Sequence, residues 1–337
     1  MRVLLITITA FFFLPAAVAD QSLSLGNDDW PPFIIEGQEQ GASEELVCTA
    51  LKLAGWSCVV NVYDWDKVLE DVQKGSVDGI AAVWKTPERE KYLLFSEPYL
   101  TNRIVPIVAK NSQIYLQKVS DLRGWRVAMV PDYAYGQEIE DAISSFTLLP
   151  VKGSADAIKA VQEGRADIAL VDDLVARAQL DIDSEPNFTV INAVLTYREL
   201  YFAVSREHPQ AEEIISGFQD HYETMLKDGV VNEILDVDWL ATDLGNDGKL
   251  DLVLRTGVNF DDLNSPSQSG STYVLGQSNY QMMSQSGLDN SQVNYHVGGK
   301  SHSSLQDALV EVFGKDVVCT HKEYTSQFDC SKLFMKR

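Results

Sequence analysis

The sequence predicts an α/β fold of two similar lobes joined by two crossing segments, followed by a C-terminal extension. One phrase occurs twice, as Val72-Gln73-Lys74-Gly75-Ser76-Val77-Asp78-Gly79-Ile80 and as Val161-Gln162-Glu163-Gly164-Arg165-Ala166-Asp167-Ile168. In each copy an amphipathic helix ends at a glycine, which takes left-handed backbone without a Cβ penalty. An Asp then precedes a short apolar run, Ile80 to Val83 or Ile168 to Val171. Two further apolar segments, Arg103 to Ala109 and Leu200 to Val204, lead out of the first lobe and back into it, and the composition turns polar after Trp239.

The elements follow in order. Arg2, the apolar run Val3 to Leu14 and Pro15-Ala16-Ala17-Val18-Ala19 form a secretory signal, so residues 1–19 are read as a leader and the mature chain as starting at Asp20. The run is too short for a membrane span. Ser22 to Leu25 reads as a first strand, followed by a turn at Asn27-Asp28-Asp29-Trp30-Pro31-Pro32-Phe33. A helix from Ser43 to Ala54, a strand from Cys58 to Val62 and a helix through Val68 to Val72 lead to the first copy of the phrase. Arg126 to Val130 begins a second set of elements, with helices at Ile139 to Ser144 and Ala155 to Val161. Helices beyond Pro209, through Leu226 and from Asn232 to Leu235, close the first lobe. Crossings near 108 and 195 give one lobe of residues 20–108 and 196–241, a second of 109–195, and an extension of 242–337. Two crossings form a hinge that lets the lobes close over a ligand.

Within the extension, Lys249 to Arg255 alternates as a strand and Ser304 to Phe313 has helical spacing. Asn264 to Ser303 is rich in Ser, Gln, Asn and Gly, which reads as a linker or a poorly packed β region. The two-lobe pattern is complete by Trp239, so residues 20–241 are expected to fold and bind alone. Asp243, Asp247 and Asp251 occupy the first, fifth and ninth places of a calcium loop. Gly245 and Leu254 stand at the third and twelfth, so an Asn-Asp-Gly turn into a strand is expected instead, and no metal.

The chain's four cysteines are grouped as Cys48 with Cys58 and Cys319 with Cys330, which suggests two disulfides in an oxidising compartment, the other two connectivities remaining open. A formal net charge of −22 argues against nucleic acid or an anionic membrane surface as a partner.

Ligands of open α/β sheets lie at the carboxyl ends of the strands, so the residues after each copy of the phrase are the candidates. The first copy runs into Trp84-Lys85-Thr86-Pro87-Glu88-Arg89-Glu90. Thr86 before Pro87 is a helix start, and Arg89 emerges from its first turn, suited to grip a carboxylate bidentately. An isolated arginine there would instead pair with Glu88 or Glu90. The second copy runs into Asp172-Asp173. Asp173 is assigned as the cap of the next helix and Asp172 as the partner of a ligand ammonium. Pro131-Asp132-Tyr133-Ala134-Tyr135-Gly136 is a strand-to-helix turn whose amides favour an anion. Trp30, Trp65 and Tyr133 are candidate apolar walls, Trp65 equally a core residue. Together these groups describe a zwitterion site.

Read in this order, Asp29-Trp30-Pro31-Pro32-Phe33, the two repeats, Thr86-Pro87-Glu88-Arg89, Phe95-Ser96-Glu97-Pro98-Tyr99 and Ala166-Asp167-Ile168-Ala169-Leu170-Val171-Asp172 resemble the family 3 extracellular solute-binding proteins of polar-amino-acid ABC transporters. The resemblance covers residues 22 to 240. It implies two Rossmann-like lobes, a periplasmic location, a small-molecule ligand, a membrane permease complex as partner, a monomer and no cofactor. It also assigns the ligand's α-carboxylate to Arg89 and its α-amine to Asp172. Trp84 stands where the family usually offers a small hydroxyl residue, and the turn at Tyr133 and Ala134 lacks the usual Thr or Ser. The expected ligand therefore widens to an amino acid, a related zwitterion or an organic acid. A sensing receptor for a membrane signalling partner is the alternative to transport. Cyclohexadienyl dehydratases and parts of some murein lyases resemble the same proteins. An enzyme is not expected, because the sequence shows no nucleophile beside a base, no HExxH and no phosphate loop.

Overall fold

The structure, a computed structural model, describes residues 21–37, 39–182, 186–263, 266, 272–284 and 292–318. The leader at 1–19 and the pair Cys319 and Cys330 lie outside the described residues. β1 (Gln21–Asn27), α1 (Ala42–Leu53), β2 (Trp56–Val62), α2 (Trp65–Gln73), β3 (Gly79–Trp84) and β4 (Leu93–Phe95) build the first lobe. β5 (Leu100–Ala109) leads into a second lobe of β6 (Arg126–Met129), α3 (Gln137–Ala142), β7 (Thr147–Pro150), α4 (Ser154–Gln162), β8 (Ile168–Asp172), α5 (Asp173–Ile182) and β9 (Phe188–Val190). β10 (Thr196–Ser205) returns, and α6 (Ala211–Lys227) and α7 (Val230–Ile234) pack against the first lobe. A disulfide joins Cys48 on α1 to Cys58 on β2, with the Cα atoms 5.6 Å apart.

The repeated phrase does the same job in both lobes. Gly75 and Gly164 each adopt φ 70° just beyond α2 and α4, the left-handed backbone that ends a helix. Asp78 accepts the Ser24 amide and donates its own amide to the Ser24 carbonyl, both at 2.7 Å. Asp167 makes the same two bonds with Arg126, both at 2.9 Å. Each Asp thus pins a helix end to the neighbouring parallel strand, and β3 and β8 follow as fully buried strands.

The main sheet runs β2-β1-β3-β10-β5-β8-β6-β7. Its halves mirror one another: three parallel strands on each side, with antiparallel β10 and β5 at the centre. β5 pairs with β10 over Leu100–Ile104 and Thr196–Leu200, and then takes β8 as its neighbour from Ile104 to Val108. The first crossing therefore lies a few residues before the position near 108 expected from sequence.

The extension departs from its expected character. β11 (Trp239–Thr242), β12 (Leu250–Leu254), β13 (Thr272–Val274), β14 (Val293–Val297) and β15 (Lys300–His302) form a second sheet, ordered β13-β11-β12-β14-β15, with helices α8 (Gln277–Ser284) and α9 (Leu305–Phe313). The sheet begins at Trp239, inside the segment assigned to the first lobe. Alternation splits its side chains between two faces. Trp239, Leu252, Leu254, Val274 and Tyr295 pack in a core of their own with α9, whereas Leu240, Val253, Tyr273 and Leu275 join the core of the lobes. Polar loops dilute the composition of this region and mask its alternating apolar residues. The described residues between 239 and 318 therefore form a packed unit seated on the lobes, neither a linker nor poorly packed.

The contacts are specific. The Tyr273 hydroxyl accepts the Thr101 amide at 3.2 Å and donates to the Thr101 carbonyl at 2.9 Å. Gly276 donates to Thr101 Oγ at 2.7 Å, and Thr101 Oγ donates to Glu199 at 2.9 Å. Tyr280 meets Tyr197 in a tilted contact, with centroids 5.2 Å apart, and lies under the Arg103 guanidinium at 5.1 Å. Thr101 and Arg103 lie on β5, and Tyr197 and Glu199 on β10.

In the Asp243 loop, the Asp243 carboxylate accepts the amides of Asp247 and Gly248 at 3.0 and 2.9 Å, and Asp251 accepts that of Leu244 at 2.8 Å. These carboxylates close the Asn-Asp-Gly turn onto its own backbone.

Candidate ligand site between the lobes

β3 delivers the site. Beyond Trp84, Thr86 Oγ accepts the Arg89 amide at 3.2 Å and the Thr86 carbonyl accepts that of Glu90 at 3.0 Å, so a short helical turn starts at the expected Thr-Pro step. The two neighbouring acids are taken up by lysines, Glu88 with Lys91 at 3.5 Å and Glu90 with Lys85 at 2.8 Å. Arg89 turns inward instead and is only 6% exposed. Its Nη1 donates to the Trp84 carbonyl and its Nη2 to the Asp132 carbonyl of the other lobe, both at 2.6 Å, and the guanidinium lies 5.2 Å from the centroid of Trp65. Among the described residues Arg89 makes no ion pair.

Arg89 shares a cavity with Asp28, Trp30, Trp65, Ala82, Val83, Trp84 and Tyr133. Aromatic rings fill most of it. Trp84 meets Trp30, Tyr133 and Tyr135 edge-on at 5.4, 5.7 and 5.7 Å, and Trp65 meets Tyr133 at 6.0 Å. Trp84 Nε1 donates to Asn102 Oδ1 at 2.7 Å, while Trp30 Nε1 is buried with no partner among the described residues. The free space is about 20 Å³, room for one water. A ligand therefore needs the lobes to part or these rings to withdraw.

Five of the eight sequence-derived candidates come together here: Arg89, Trp30, Trp65, Trp84 and Tyr133. Thr86 shapes the turn that aims Arg89. Ala134 is buried beside Tyr133 without lining the cavity.

The cap of α5 is Asp172 and not, as expected from sequence, Asp173. Asp172 Oδ1 accepts the amides of Leu174 and Val175 at 2.8 and 3.4 Å, which makes Asp172 the cap of α5, and its Oδ2 accepts the Arg103 amide at 3.0 Å. Asp173 is already the first helical residue, and its carboxylate pairs with Arg103 and Arg177. Asp172 is 2% exposed and lies outside the lining of the Arg89 cavity. Burial, opposed by its three backbone donors, pushes its carboxyl up to about 7.

Asp28 is the site residue that the sequence reading missed. β1 is a parallel strand like β3 and β8, and its carboxyl end opens on the same cleft, so the same strand-end rule points to Asp28. Its carboxylate accepts the hydroxyl of Tyr133 from the opposite lobe. Burial raises the Asp28 carboxyl to about 6, outweighing the lowering by Tyr133. Arg198, on β10, backs the site with its guanidinium 5.9 Å from the Trp84 ring, and no local sequence pattern marks it.

A raised carboxyl favours folding when protonated. The contribution of Asp28 is fully present below the ordinary carboxylate pKa of about 4 and is lost as pH rises through about 6. Asp28→Asn stays uncharged, so it should stabilise the protein near pH 8 by up to ~3 kcal/mol and leave it little changed near pH 3.5. Urea denaturation at both pH values measures this, and an equal effect at both would refute the assignment.

The comparisons with known proteins agree with this architecture. Over 164 residues the chain is 26% identical to the arginine-binding extracellular protein ArtP of Bacillus subtilis, an alignment covering 44% of this chain and 59% of ArtP. It is 23% identical over 195 residues to the L-cystine-binding protein TcyA of the same organism, covering 58% and 70%. The fold is shared with a solved ancestral arginine-binding protein bound to arginine, at a TM-score of 0.58 and 22% identity, over 64% of this chain and 96% of that one. The model of the bacterial extracellular solute-binding proteins, family 3, matches residues 23–242, well over half of the sequence, and the chain belongs to that family.

Proposed function

We propose that the protein captures an amino acid or a related small zwitterion between its lobes, in the periplasm, and delivers it to an ABC-transporter permease. One observation carries this reading. A guanidinium and a carboxylate, Arg89 and Asp28, are buried in one aromatic cavity without pairing to each other. A ligand carboxylate replaces the main-chain carbonyls that Arg89 now engages, and does so bidentately. A ligand cation lies against Asp28 and the faces of Trp30, Trp65 and Tyr133. Asp28 thus takes the part that the sequence reading gave to Asp172. The relatives named for arginine and cystine supply the ligand class. Trp84 fills volume that a small residue would leave open, which favours ligands with short side chains.

Titration calorimetry against an amino-acid panel tests the reading. Arg89→Ala should weaken the best ligand by at least about 2 kcal/mol, the cost of truncating one partner of a buried charge pair. Arg89→Lys should recover only part of the loss, because an ammonium lacks the planar fork. Affinity unchanged in Arg89→Ala would remove the arginine from the site.

A further inference from the structure

The second sheet carries a polar cluster on the face turned away from its own core. Asp251 on β12 and Asn294 and His296 on β14 share that face, because Leu250, Leu252, Val293 and Tyr295 occupy the opposite one. The turn at Gly298 and Gly299, both at positive φ, makes His296 and Ser301 direct cross-strand partners. Ser301 Oγ lies 3.0 Å from His296 Nδ1, and His296 Nε2 lies 2.6 Å from Asp251 Oδ1. Asp251 is buried and accepts two further donors, Asn294 Nδ2 at 3.1 Å and the Leu244 amide at 2.8 Å. Although burial opposes it, the bonds from His296 and Asn294 hold the Asp251 carboxyl below its ordinary range. An ionised carboxylate can only accept, so Nε2 carries the imidazole proton and Nδ1 is left to accept from the serine hydroxyl.

Ser301 itself is exposed, and it opens with His296 and Asp251 onto a cavity of about 370 Å³ between the sheet and the end of α6. Lys227 and the backbone at Gly245 and Gly299 line the same space. The serine is thus accessible, its base is oriented by a buried carboxylate, and there is room for a substrate beside it. These are the elements of an activated nucleophile.

We propose that Ser301, His296 and Asp251 form a second functional site that hydrolyses a small acyl ester. Ser301 Oγ bonds to the acyl carbon while its proton passes to His296 Nδ1. The bond from that carbon to the leaving oxygen breaks, and the departing alkoxide takes the proton from His296. Water then adds to the acyl carbon and gives a proton to His296. The bond to Ser301 Oγ breaks, the serine recovers that proton, and the free acid leaves. Water is the sole co-reactant, and nothing is oxidised or reduced. Asp251 is a positioning residue: it fixes the imidazole tautomer and stabilises the imidazolium. Lys227, paired with Glu223 at 2.5 Å, and Asp247 line the same cavity.

The test uses the full-length chain and a fluorophosphonate probe. Ser301 Oγ displaces fluoride from phosphorus, its proton goes to His296, and the stable adduct is located by peptide mass spectrometry. The proposal expects labelling at Ser301 and none in Ser301→Ala, with p-nitrophenyl acetate turned over by the parent and not by that variant. His296→Gln should slow labelling by at least about a hundredfold. Asp251→Asn should slow it by at least about tenfold at neutral pH and alter its pH profile, and Asp251→Glu should restore part of the rate. Thermal unfolding of each variant confirms a folded chain. An unlabelled Ser301 in the folded parent, or labelling equally fast in His296→Gln, overturns the proposal and leaves the cluster as a sheet-face hydrogen-bond network.

Discussion

A chain ending at Ala241 should fail to reach a stable native fold. Trp239, Leu240 and Ala241 are all fully buried, and β11 takes its hydrogen bonds from β12 on one side and β13 on the other. Deleting residues 242–337 removes both neighbours and leaves the Trp239 indole, among the largest fully buried side chains, facing water. Exposing one such tryptophan costs on the order of 3–5 kcal/mol. The deletion also strips Val253, Tyr273 and Leu275 from the core of the lobes and leaves the Asn232 amide without the Val253 carbonyl it meets at 2.9 Å. Net stabilities of roughly 5–15 kcal/mol leave little margin for losses that add in this way. Circular dichroism and thermal unfolding of residues 20–241 beside 20–337 decide the matter. A truncated chain that unfolds cooperatively at the parent temperature would restore the boundary suggested by composition.

Trp84→Ala should cost about 3–5 kcal/mol of stability and at the same time broaden the range of ligands. Trp84 is 5% exposed, contacts Trp30, Tyr133 and Tyr135, and satisfies Asn102 Oδ1. Removing it leaves a cavity and an unpaired buried amide oxygen, both destabilising. The same cavity enlarges the site beside Arg89, so amino acids with longer side chains should bind that the parent rejects. Urea denaturation reads the first effect and a thermal-shift panel the second. A stability loss with no new ligand would make Trp84 a core residue and nothing more.

What the sequence disclosed was local. Gly75 and Gly164 are legible because a helix end needs left-handed backbone at one residue, and Asp78 and Asp167 because each repeats the same two bonds. Arg89 is legible because its place depends only on where β3 stops. The cap of α5 falls on Asp172 and not on Asp173 because a cap assignment turns on a single residue, finer than apolar runs resolve. Asp28 went unread although β1 obeys the rule that found Arg89. In the second unit β12 and α9 are legible from alternation and helical spacing, whereas the packing of the rest is not, because composition averages over polar loops and alternating strands. His296 and Ser301 face each other only because the Gly298-Gly299 turn pairs β14 with β15, and Asp251 joins them from β12, more than forty residues away in sequence, so no local motif unites the three.

The seat of the second sheet bears on the mechanics of the whole molecule. Any rotation of one lobe against the other must be absorbed where β5 and β10 pair, at Leu100–Ile104 and Thr196–Leu200. Tyr273, Gly276 and Tyr280 grip that stretch at Thr101, Arg103 and Tyr197, like a splint laid across a joint. Bending the joint strains the splint, and stiffening the splint resists the bend. The joint between the lobes is thus tied to side chains of the second sheet, which lie outside the lining of the Arg89 cavity.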